Sequence, residues 1–179
     1  VGIHSGLIEK AETEAQFASV ITHELAHLSQ RHFSRGIEGQ SKSNAASLAG
    51  LLGGLVMIAA GSADAGMAAI MSGQAAALSS RLSYSRAHEQ EADRIGMQNL
   101  VAAGLDPGGA AAMFTVMQRD AASYGPRPPE VLLSRPVTES RIADARNRAQ
   151  TYPKRMYEDN SEFQLMRARV ELSFIKDSA

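Results

Sequence analysis

No cysteine occurs anywhere in the 179 residues. That excludes disulfides and every zinc site built on thiolate, and it leaves the cellular compartment open. Strong charge of either sign is also missing, for 18 basic and 19 acidic residues leave a formal −1. Nothing in this balance asks for nucleic acid or an acidic polymer as partner. No secretory signal and no internal repeat are evident, and the chain opens at Val1-Gly2-Ile3 without an initiator methionine, as a processed or excised fragment would. What remains is enough for one compact domain, since 44% of the residues are hydrophobic.

Against that background stands His23-Glu24-Leu25-Ala26-His27. A step of four along an α-helix advances ~400°, so both imidazoles leave one face about a turn apart and can close on a single tetrahedral cation. This is the H-E-x-x-H pattern of zinc peptidases. Its surroundings read as helix. Thr13-Glu14-Ala15-Gln16 has the form of a capping box, Phe17, Val20, Ile21 and Leu28 make an apolar stripe, and Gly36 is the expected stop, which predicts a helix over 13–35.

A catalytic zinc takes three protein ligands and leaves a fourth position open. His88-Glu89-Gln90-Glu91-Ala92-Asp93 is the best source of the third. Glu89 and Asp93 share a helical face, whereas Glu91 lies about 200° round and should look away. Glu89 is therefore the expected ligand, and Asp93 the acceptor that fixes a ligand histidine through its other ring nitrogen. His88 is the rival, offset by ~100° from Glu89. A third histidine six residues past the second is absent, because position 33 is Phe. His32, beside Arg31 and Arg35, reads as a surface or helix-end residue, and nothing marks His4 as a ligand. Glu24, ~100° round the helix from His23, is placed to take a proton from an attacking water and pass it to the leaving amine.

The longer run Tyr84-Ser85-Arg86-Ala87-His88-Glu89-Gln90-Glu91-Ala92-Asp93-Arg94-Ile95-Gly96 joins H-E-x-x-H to a later E-x-x-x-D. With Gly6-Leu7-Ile8, Gln30-Arg31-His32, Asp64-Ala65-Gly66-Met67-Ala68 and Glu139-Ser140-Arg141-Ile142-Ala143-Asp144-Ala145-Arg146, the pattern resembles the HtpX and CAAX-prenyl-protease family of gluzincin metallopeptidases over almost the whole chain. The resemblance implies one zinc ion per chain on His23, His27 and Glu89, Glu24 as general base and Asp93 as supporting acid. It also implies a mainly α fold of the α+β zincin type with a small N-terminal β-ribbon. The likeness is to periplasmic members, which implies unfolded or misassembled outer-membrane polypeptides as substrates and the outer-membrane assembly machinery as partner.

One departure concerns Ser134-Arg135-Pro136, where members of this type commonly carry His directly before the proline. Guanidinium stays protonated and cannot ligate as a neutral nitrogen. Two readings follow: Arg135 donates hydrogen bonds to a developing oxyanion, or the site lacks a latching ligand and is more open. Arg141, on a helix begun by Thr138, is a second oxyanion or substrate-binding candidate, with a salt-bridged surface role as the alternative.

Along the chain, residues 1–8 suggest the end of a strand or hairpin, 86–103 a helix ended by Gly104, 106–122 a helix begun by Asp106-Pro107, 124–136 a proline-rich loop, and 138–151 and 161–175 further helices. The expected organisation is a metallopeptidase domain over 1–160 and, from 161, the start of a helical, TPR-like segment whose remainder is left out. Between Lys42 and Arg81 Asp64 is the only charge, so 45–80 reads either as a membrane contact or, preferably, as a mobile helical hairpin over the active-site helix. Gly50 and Gly54 form a G-x-x-x-G step that permits close helix contact. Two functions are compatible with these readings. One is a zinc endopeptidase acting on misassembled proteins; the other is a chaperone-like assembly factor with a latent zinc site. The Glu24 base favours the enzyme.

Overall fold

Thr13 opens the helix that carries the histidines. Its Oγ1 accepts from Gln16 N at 3.3 Å, and Gln16 Oε1 accepts from Glu12 N at 2.8 Å, one residue before the position that a capping box would reach. The computed structural model describes residues 5–123, 137–158 and 160–177. Among these are seven α-helices and no strand: α1 (Ser5–Lys10), α2 (Glu14–Ser29), α3 (His32–Ala59), α4 (Ala63–Ala102), α5 (Gly108–Ser123), α6 (Glu139–Ala149) and α7 (Ser161–Asp177). Two compact units result, Val1–Ala26 with Glu91–Ala179, and His27–Gln90.

In the first unit, Met97, Ala111, Phe114, Ile142 and Ala145 form one buried cluster. A second joins Ala11, Met113 and Phe163, with Leu7, Phe17 and Val20 packed against it. The expected strand at the N-terminus is corrected here: residues 5–8 are helical, and Leu7 meets the core from α1. The positions before Ser5, like the whole of the loop containing Arg135, lie outside the described residues. Helix α7 lies in this unit, with Gln164 Nε2 donating to Glu12 O at 2.8 Å and Arg167 Nε to Glu9 O at 3.3 Å.

Both long helices differ from their expected bounds. The histidine helix stops at Ser29, not near 35, and Gly36 lies inside α3. The break is Arg31, the only described non-glycine residue with positive φ, at 52°. A left-handed arginine costs about 1 kcal/mol or more, and no residue type announces it. Leu28, expected on the apolar stripe, is 60% exposed.

The expected hairpin exists in the second unit as α3, a turn, and the first part of α4. Gly61, at φ 89°, closes α3: its N–H donates to Ile58 O at 3.0 Å and Ser62 N to Met57 O at 2.9 Å. These are the two bonds of a Schellman end, for which glycine supplies the left-handed residue without strain. Small residues then let the helices touch. A Cβ on Gly54 would stand 2.5 Å from Gly66 O and 2.4 Å from Ile70 Cγ1. Leu48, Leu52, Leu55 and Val56 remain exposed, and α3 is long and apolar enough to cross a membrane by length and composition. Helix α4 continues from this hairpin, where a separate helix from 86 was expected, and ends as anticipated at Gly104.

Candidate metal centre

His23 and His27 lie one turn apart on the unbroken α2, and Glu89 and Asp93 one turn apart on the unbroken α4. The same 3.6-residue period that puts two imidazoles on one face of α2 puts two carboxylates on one face of α4.

Within the first unit, His23 Nδ1 is 2.9 Å from Asp93 Oδ1, with side chains 11% and 9% exposed. Asp93 is gripped from its other side by Arg141, whose Nε donates to Oδ2 at 2.8 Å and Nη2 to Oδ1 at 2.7 Å. Burial alone would raise the Asp93 carboxyl, but the hydrogen bonds from His23 and Arg141 and the guanidinium charge hold it below the ordinary carboxylate range. An ionised Asp93 only accepts, so a hydrogen on Nδ1 of His23 would face it and leave Nε2 to an ion. Glycine makes this approach possible, because a Cβ on Gly96 would stand 3.0 Å from both N and Cα of His23.

Arg141 thus sits 10% exposed, with its guanidinium carbon 4.8 Å from the centre of the Phe114 ring. Thr138 caps its helix by accepting from Arg141 N at 3.4 Å. Arg141 is thus salt-bridged, as its alternative reading held, but buried on Asp93 and not at the surface. No spacing rule connects positions 93 and 141.

Within the second unit, His27 Nε2 is 3.4 Å from Glu89 Oε1, with side chains 11% and 16% exposed. His27 Nδ1 faces His32 Nδ1 at 2.8 Å. His32 stands at a helix end as expected, being the first residue of α3, but at 5% exposure it is buried and not at the surface, and its ring stacks on that of His88 at 4.2 Å with an interplanar angle of 4°. His88, the rival ligand, is 7% exposed and lies between His32 and Tyr84, whose ring centre is 4.1 Å away. Glu24 is half-buried on α2 beside His23.

Two imidazoles and one carboxylate, His23, His27 and Glu89, are a donor set of the kind zinc accepts in catalytic sites, where three protein ligands are the rule. No thiolate competes for it, as the chain has none.

The sequence pattern of Peptidase family M48 matches residues 1–149, and the chain belongs to that family of zinc metallopeptidases. The chain is similar to the beta-barrel assembly-enhancing protease of Escherichia coli strain K12, 42% identical over 172 residues that make up 95% of this chain and 34% of that protein. The protease of the same description from Shigella flexneri is 42% identical over 172 residues, 95% of this chain and 34% of the relative. That of Yersinia pestis is 40% identical over 151 residues, 83% of this chain and 30% of the relative. The chain therefore spans about a third of the length of these relatives.

Proposed function

We propose that the chain is a zinc-dependent endopeptidase that hydrolyses peptide bonds in misfolded or misassembled outer-membrane proteins, with His23, His27 and Glu89 as ligands and Glu24 as general base. The observation that carries this reading is the approach of Glu89 Oε1 to His27 Nε2 at 3.4 Å, which gathers a carboxylate and an imidazole of the right type. His23 follows on the same helix, one turn earlier.

Zinc held by His23, His27 and Glu89 would supply Lewis acidity toward the attacking water and the scissile carbonyl. The remaining steps belong to the protein. Glu24 takes a proton from the attacking water as its oxygen bonds to the carbonyl carbon, and returns it to the amine as the C–N bond breaks. Asp93 holds His23 in one tautomer and orientation, and Arg141 holds Asp93. Arg141 serves this reading as a positioning residue, since its Nε and Nη2 both donate to Asp93.

A role in beta-barrel assembly is supported by the relatives named above, described as beta-barrel assembly-enhancing proteases, while the periplasmic location and the outer-membrane machinery follow from the sequence resemblance. The exposed apolar residues of the hairpin are suited to a peripheral membrane contact or to an unfolded chain.

The test compares the protein with its Glu24→Gln variant for zinc content and for digestion of an unfolded outer-membrane protein. The reading requires the parent to digest it and the variant to stop digesting with zinc retained. An assembly factor whose work is binding alone would show the same slow or absent digestion in both.

A further inference from the structure

His32 is five positions beyond His27, and on an uninterrupted helix it would lie ~140° round and face elsewhere. The left-handed backbone of Arg31, at φ 52°, ends α2 and starts α3 so that His32 returns to the ligand histidine, Nδ1 to Nδ1 at 2.8 Å. The two rings meet edge-on, at 80°. At that distance one nitrogen carries the hydrogen and the other accepts it.

We infer that His32 is a positioning residue for the metal: it accepts a hydrogen bond from Nδ1 of His27 and so keeps the His27 Nε2 lone pair directed to the ion. This rests on the ligand set proposed above. The opposite arrangement would put the hydrogen of His27 on Nε2, the atom that faces Glu89 at 3.4 Å, and would block coordination there. His32 then does for His27 what Asp93 does for His23.

The surroundings hold His32 to that task. Its ring is flat against His88, His88 lies against Tyr84, and the Tyr84 hydroxyl donates to Arg35 O at 2.8 Å. Tyr84 is seated on bare backbone, for a Cβ on Gly39 would come within 3.0 Å of its Cε1. A chain of three packed rings thus fixes the acceptor nitrogen, where metal-binding histidines more often use a carboxylate or carbonyl.

The experiment measures zinc affinity by chelator competition for the parent, His32→Phe, His32→Asn and His27→Ala. Phe keeps the ring stack and removes the acceptor; Asn returns an acceptor atom near the place of Nδ1. His32→Phe should bind zinc about 10–100-fold more weakly, with His32→Asn recovering most of the loss. Parent affinity in His32→Phe, or equal loss in both His32 variants, overturns the inference. If His27→Ala binds zinc as tightly as the parent, the ligand set itself is wrong. Should His32→Phe not fold, histidine ¹⁵N spectra of the zinc-loaded parent decide. His27 protonated on Nδ1 supports the inference, and a metal on Nδ1 overturns it.

Discussion

Asp93 and Arg141 meet through two hydrogen bonds of 2.8 and 2.7 Å, and both side chains are nearly buried. A buried pair broken from one side leaves a charge without compensation, which costs about 3 kcal/mol or more. Arg141→Ala is therefore expected to lower stability by about 3 kcal/mol in urea unfolding of the metal-free protein.

Acid unfolding gives the same pair a second signature. The folded Asp93 carboxyl is held below its ordinary range, so its contribution is whole above the unfolded value and fades as pH falls through the lower folded value. Without the guanidinium that folded value rises. Arg141→Ala should accordingly begin to unfold at a higher pH than the parent when both are titrated downward and followed by circular dichroism.

Glu89 is expected to be indispensable for the metal and dispensable for the fold, since it is intermediate in burial and outside both apolar clusters. Glu89→Gln keeps the volume and removes the charge. Zinc per chain after dialysis, read by mass spectrometry, should fall to background while the melting curve of the metal-free protein stays within about 0.5 kcal/mol of the parent.

Gly96 admits the backbone of His23 where any side chain would press on it. Gly96→Val should cost about 1–3 kcal/mol through overpacking and should also weaken zinc binding, because the displaced atoms carry His23, a proposed ligand. Unfolding and zinc titration on the same sample check both halves of this expectation.

In the hairpin, the close approach of Gly54 to Gly66 and Ile70 predicts a local effect. Gly54→Leu should separate α3 from α4 and speed proteolysis between residues 50 and 73, with the first unit's core protected as before.

Which side chains share a helical face was legible in the sequence, because periodicity alone decides it, whereas the joining of Glu89 to the histidines was an expectation of the zinc-peptidase resemblance. His23 with His27 and Glu89 with Asp93 each need only one turn of one helix. The caps at Thr13 and Thr138 and the glycine end at Gly104 were legible for a similar reason, each being a local hydrogen-bond demand met by a local residue. The burial of His32 was misread because its placement depends on a left-handed arginine, a conformation that tertiary packing imposes against intrinsic preference. The Asp93–Arg141 pair escaped because it joins helices 48 positions apart in the chain. In place of the expected strand, residues 5–8 belong to a short helix from which Leu7 packs against the cluster of Ala11, Met113 and Phe163.

X-ray absorption at the zinc edge of the metal-loaded protein addresses the central claim directly. The account predicts one zinc per chain with two imidazole nitrogens and two oxygens, one from Glu89 and one from solvent, and loss of a single imidazole in His23→Ala or His27→Ala. Three imidazoles on the ion, or a spectrum unchanged by removing Glu89, would contradict it.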